Sequence, residues 1–199
     1  MGGSPLEDLI DLNAATRYDA GLRQVPIDPA AVERATALAV DALGDVRARG
    51  DAASELPLLA YLGEACRLLG RSSESVEHLQ AAVALARAAA DRPRELANRI
   101  RLAETLRYAG ALDRAEALFR DALECCAAPD LASYADFALQ HLGKCRLDQG
   151  DPAEAVTCFE RALALRRAKD DPTLIRSTQQ ALRLARTRLA TTEHGRDPA

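Results

Sequence analysis

Residues 70–82 read GRSSESVEHLQAA, residues 110–122 read GALDRAEALFRDA and residues 150–162 read GDPAEAVTCFERA. Gly70, Gly110 and Gly150 stand forty residues apart. Each is followed at matched offsets by a small residue, a large apolar residue and an alanine: Ser75, Leu79 and Ala82, then Ala115, Phe119 and Ala122, then Ala155, Phe159 and Ala162. One supersecondary unit is therefore copied along the chain, with its apolar positions at helical spacing. The turn chemistry sets the helix ends. Gly150 suits the left-handed residue that closes one helix, Asp151 caps the next, Pro152 occupies its first turn and Glu154 follows three residues after the cap. Gly110, Asp113 and Glu116 are expected to do the same in the second unit.

Working outward, breaks near Asp91–Pro93, Pro129–Asp130 and Asp170–Pro172 split each period into two helices. Ala35, Ala39 and Ala42 lie forty residues before Ser75, Leu79 and Ala82, so Pro29–Arg49 reads as the second helix of a unit whose first half is missing. Residues after Pro172 fall in register with the first helix of a further unit. The expected fold is all-α, a right-handed solenoid of about seven antiparallel repeat helices, with half-units capping both ends. Its parts are a half-unit at 29–50, units at 51–90, 91–130 and 131–170, and a capping helix at 171–190. Residues 1–28 are expected to hold a short amphipathic helix or to be partly disordered, on the strength of Leu6, Leu9, Ile10 and Leu12. Residues 191–199, polar and with Gly195 and Pro198, read as a disordered tail.

Composition agrees with helices and removes several functions. Alanine and leucine dominate while aromatics are 4% of the chain, which favours close helix packing over a sheet. A net charge of −4 argues against nucleic acid, whose binders display a basic face to phosphate. Charge is nonetheless uneven: residues 1–55 carry ten acidic and five basic side chains, residues 156–199 five acidic and nine basic. That asymmetry raises end-to-end association of copies. The acidic residues Glu7, Asp8 and Asp11 contradict a secretory leader, no stretch has membrane-spanning length, and a cytoplasmic location is expected.

The motifs of the first helices, Leu59-x-x-Leu62-Gly63-x-x-Cys66, Leu102-Ala103-x-x-Leu106 and Leu139-x-x-Leu142-Gly143, together with the second-helix series, resemble the tetratricopeptide repeat family. Arg99 and Arg146 stand where that family carries large apolar side chains. The forty-residue period is similar to the longer repeats of kinesin light chains and of bacterial signalling ATPases and transcriptional regulators. The resemblance implies a non-catalytic protein-interaction scaffold that holds a peptide or partner helix against its first helices. Columns forty residues apart then mark the candidate groove: Tyr61, Arg101 and His141; Glu64, Glu104 and Lys144; with Tyr108, Phe137, Gln140 and Gln180 on its borders. The family's co-chaperones clamp a carboxylate with Lys and Asn where this chain has Ala60 and Glu64, so binding of chaperone tails is not expected.

Two other functions have weaker footholds. A groove closing on a peptide signal would make the chain a sensor or regulatory module of a larger complex. A thiol-dependent enzyme would need Cys145 activated by His141, four residues away on one helix face, but no orienting third group accompanies them. The five cysteines, Cys66, Cys125, Cys126, Cys145 and Cys158, show no metal-ligand spacing and read as reduced thiols; no metal or cofactor is expected.

Overall fold

The computed structural model describes residue 7 and residues 9–194, with side chains to residue 192. A short antiparallel hairpin, β1 (Thr16–Tyr18) and β2 (Gln24–Pro26), precedes eight helices. These are α1 (Pro29–Ala48), α2 (Ala52–Leu68), α3 (Ser72–Ala88), α4 (Arg92–Tyr108), α5 (Leu112–Cys125), α6 (Ala135–Asp148), α7 (Pro152–Ala168) and α8 (Pro172–His194). The chain falls into two compact units, 1–111 and 112–199. In the first, α1 to α4 pack in succession; in the second, α5 to α8 do so.

A twenty-residue rhythm of left-handed residues ends the helices. Gly50, Gly70, Gly110 and Gly150 have φ between 66° and 80°, and Ala90 and Asp170 adopt the same region at 54° and 55°. After Gly70, for example, Arg71 N–H reaches back to Cys66 O at 2.8 Å, closing the helix with a Schellman bond. Helices α1, α2, α4 and α7 start on an aspartate cap, Asp28, Asp51, Asp91 and Asp151 each accepting a first-turn N–H, whereas α3 starts on Arg71 without a side-chain cap. Position 130 breaks the rhythm. There the chain passes through a 3-10 turn at Ala132–Tyr134 before α6, which starts without a side-chain cap.

Among the described residues the repeat helices number eight, one from each half-unit and two from each of three pairs. Three expectations change. The described part of residues 1–28 contains no helix: it is an extended arm turning through a hairpin, closed by Asp19 Oδ1 accepting from Gly21 N and Arg23 N, both at 2.8 Å. Asp113 does not cap α5, which starts at Leu112 and so places Asp113 inside its first turn. Residues 191–194 continue α8 instead of fraying, and residues 195–199 lie outside the described residues.

The glycines inside α2 and α6 let the following helix come close. An added Cβ on Gly63 would lie 2.7 Å from Leu79 Cδ2, and one on Gly143 would lie 2.6 Å from Phe159 Cε1. Gly143→Ala is expected to cost about 1–3 kcal/mol of unfolding free energy through overpacking. Gly44→Ala, on α1 with no atom within 4 Å of the new Cβ, is expected to gain about 0.5–1 kcal/mol. Urea unfolding of the two variants checks both signs. In α8 the same register is held by Arg183, which is exposed.

Candidate functional site

In the first unit, the face carried by α2 and α4 is already occupied. Residues 9–26 run across it as an arm. Leu12 is buried against Val32, Ala65 and Leu68, and Leu9 and Ile10 pack beside them. Tyr61 on α2 donates its hydroxyl to Ile10 O at 3.2 Å. Burial and the nearby Asp11 carboxylate push the Tyr61 phenol up from 10 to about 12. Burial raises the Tyr108 phenol as well, so a spectrophotometric titration should show late-ionising tyrosines, with Tyr61 near 12, and the return of Tyr61 toward 10 would report loss of the arm.

Further along the same face, Tyr108 at the end of α4 grips the backbone of Gln24 from both sides. Its oxygen accepts Gln24 N–H at 2.5 Å and stands 3.4 Å from Gln24 O, to which the hydroxyl donates. Arg67 donates through Nη2 to Gln24 Oε1 at 3.0 Å. Three guanidinium groups lie on the Tyr108 ring, Arg67 at 4.8 Å, Arg107 at 5.0 Å and Arg23 at 5.2 Å. Arg107 is fully buried and binds both oxygens of Glu104, at 2.9 and 3.0 Å. The other expected residues of this unit also engage one another: Arg101 Nε donates to Glu64 Oε1 at 2.9 Å.

Of the residues expected in the second unit, Gln180 is exposed, Phe137 and His141 are half-buried, and Gln140 and Lys144 are buried. Phe137 has Arg166 and Lys169 over its ring at 5.4 and 5.3 Å. The His141 ring stacks on Phe119 at 5.9 Å. Beneath Phe137, Asp136 is fully buried and binds Arg166 Nε at 2.8 Å and Lys169 Nζ. Arg166 spends its Nη1 on Thr178 Oγ1 at 2.6 Å, Ser177 Oγ and Leu174 O. An open cleft of about 480 Å³ between α7 and α8 is lined by Arg167, Arg183, Arg186 and Glu160. Its Arg186–Glu160 pair is more than half exposed and accordingly weak.

Arg67, Arg107 and the Asp136–Arg166 pair are the residues that column reading passed over. Glu64-x-x-Arg67 and Glu104-x-x-Arg107 repeat forty residues apart, which was the available signal. Leu56 and Leu96 hold the repeat position of Asp136, and Ala86 and Cys126 that of Arg166, so a charge pair stands where the earlier repeats carry buried apolar residues.

Four of the five thiols are buried and Cys125 is half-buried. Cys145 is fully buried and its Sγ–H donates to Leu112 O at 3.5 Å. Burial pushes Cys66 and Cys158 up to about 11 and raises Cys126. Iodoacetamide at neutral pH should label half-buried Cys125 first and the others only after unfolding; Cys145 reacting as fast as a free thiol would revive thiol chemistry. Among the described residues, no group of His, Cys, Asp and Glu is placed to hold a metal ion, and no helix is long and apolar enough to cross a membrane.

Successive packed helices closed by left-handed residues, with close glycine contacts between α2 and α3 and between α6 and α7, define a helical-repeat protein. Two tetratricopeptide repeat family models match residues 55–128 and 136–168, together just over half of the chain. The chain belongs to the tetratricopeptide repeat family and is a scaffold of the protein-interaction class. Among solved structures it is similar to nearly identical TPR-like repeats of a candidate kinesin light chain from Podosopora anserina, with 21% identity, TM-score 0.56, and coverage of 82% of this chain and 89% of that one. It is similar also to BtubC (BKLC) from P. vanneervenii, with 19% identity, TM-score 0.59, and coverage of 84% and 76%. These likenesses concern the fold. No curated protein sequence matches the chain.

Proposed function

We propose that this protein is a non-catalytic scaffold that captures an extended segment of a partner protein on the face of α2 and α4. The observation that carries this reading is the grip of Tyr108 on Gln24: one side chain meets both the N–H and the C=O of an extended residue. Those backbone bonds are independent of sequence, whereas the Leu12 pocket and Arg67 discriminate between side chains. The face thus has the two components of peptide recognition, main-chain bonds for affinity and pockets for specificity. In the second unit, taken by itself, Phe137, Gln140, His141, Lys144 and Gln180 on α6 and α8 are the proposed residues of a separate binding face.

A synthetic peptide of residues 9–26 carrying a benzophenone group beside its Gln tests the reading. Incubated with the full chain and irradiated, it should cross-link near Arg67 and Tyr108, and Tyr108→Ala should abolish the product. Cross-links confined to the exposed side of α1 or α3 would contradict the assignment.

A further inference from the structure

The geometry points to a carboxylate subsite at Arg67: its guanidinium, met here by the neutral amide of Gln24, takes a glutamate of an extended partner segment that displaces the arm. The inference rests on the proposed capture of such segments and says what they carry. Arg67 is 6% exposed, so nearly all of its guanidinium is withdrawn from water. Its Nη2 has the Gln24 oxygen at 3.0 Å, but its Nη1 is buried with no hydrogen-bond partner. A buried donor left without an acceptor is costly, more so when it is charged.

Gln24 is unable to remedy this. A glutamine side chain ends in one acceptor and one NH2 group, and guanidinium nitrogens carry only donors. A glutamate of nearly the same shape replaces that NH2 with a second acceptor. It can then meet Nη1 and Nη2 together in the two-pronged arrangement that arginine and carboxylate favour. The surroundings suit an anion: Arg107, which stays in place when the arm leaves, shares the Tyr108 ring with Arg67, and the neighbouring carboxylate of Glu104 is bound by Arg107. The arm is thus a placeholder that makes the backbone contacts of a ligand but omits the charge the subsite is built to receive. An acidic partner segment of the same register outcompetes it.

The test uses the full chain with Gln24→Glu, Arg67→Lys and both substitutions together. Amide hydrogen exchange of residues 16–26 reports how often the arm opens. Gln24→Glu should slow that exchange about tenfold, as expected for a charge-assisted pair replacing a neutral bond. With Arg67→Lys, which keeps the charge but not the fork, most of the slowing should vanish. Exchange unchanged or faster in Gln24→Glu would overturn the subsite. Labelled peptides of residues 9–26 with Gln or Glu at position 24 should differ about tenfold in affinity for the unmodified chain, Glu binding tighter. Slowed exchange with neither peptide binding would leave Arg67 as a carboxylate site but remove the partner, and with it the proposed function. Peptides that bind without preference for Glu would keep the proposed function and overturn this inference.

Discussion

Asp136→Ala should be the most destabilising single substitution considered for the second unit, lowering its unfolding free energy by about 3–5 kcal/mol. Asp136 is fully buried, and its removal strands Arg166, itself 2% exposed, without the carboxylate that balances it. The hydroxyls of Ser177 and Thr178 and the carbonyl of Leu174 would still accept from Nη1, but neutral acceptors do not offset the desolvation of a cation. The repeat itself supplies the control. Earlier units hold Leu56 with Ala86 and Leu96 with Cys126 at the same two positions. Asp136→Leu combined with Arg166→Ala should therefore recover most of the loss, since replacing both partners of a buried pair by apolar groups is often neutral or stabilising. Chemical denaturation of the single and double variants closes the cycle. A double variant no more stable than Asp136→Ala would mean that the polar network, and not its desolvation balance, holds α6, α7 and α8 together.

Leu12→Asp should release the arm. Leu12 is 7% exposed in a pocket of Val32, Ala65 and Leu68, and burial of such a side chain contributes about 1.5–3 kcal/mol. Losing it, and setting a carboxylate against apolar walls, should raise the open fraction of the arm by about 10- to 100-fold. The helices should persist, because Leu12 belongs to no helix and the cluster of Leu43, Val46, Leu58, Leu59 and Leu62 lies beyond it. Limited proteolysis should cut between residues 12 and 26, the helical circular dichroism should stay constant, and the late-ionising Tyr61 should move back toward 10. Retention of that late ionisation would show that Asp11 and Ile10 hold the arm without Leu12.

The helical scaffold is legible because its signals are local and repeated. Glycine at 50, 70, 110 and 150 and aspartate at 51, 91 and 151 mark helix ends at steps of twenty residues, and even Ala90 and Asp170 take the left-handed conformation their place in the rhythm demands. The irregular start of α6 escapes the pattern because Pro129–Asp130 lacks a left-handed closing residue, whereas α5 starts in register with α3 and α7, at Leu112 against Ser72 and Pro152, which leaves Asp113 inside its first turn.

The arm is a different case. Leu9, Ile10 and Leu12 promise an amphipathic helix by composition alone, yet strands of three residues are too short to show alternation, and their stability comes from Tyr108 more than eighty residues away. Asp19 and Gly21 carry the turn chemistry that closes the hairpin. The candidate columns gathered Tyr61 and Tyr108, which do hold the arm, but they also gathered Glu64 and Arg101, which pair with each other. Column reading places residues on a face; it does not say which of them are spent on one another. Arg67 shows the opposite failure, since a buried arginine behind Tyr108 is visible in the Glu-x-x-Arg spacing but its partner, Gln24, belongs to a segment with no repeat register.

The central claim is that the α2–α4 face takes extended segments from outside the chain, and fluorescence anisotropy of a labelled 9–26 peptide tests it most directly. The peptide should bind the Leu12→Asp chain saturably and at least tenfold more tightly than the unmodified chain, because the apparent affinity rises with the fraction of molecules whose face is vacant. Equal weak anisotropy changes for the two chains, with the arm of Leu12→Asp demonstrably open, would contradict the account.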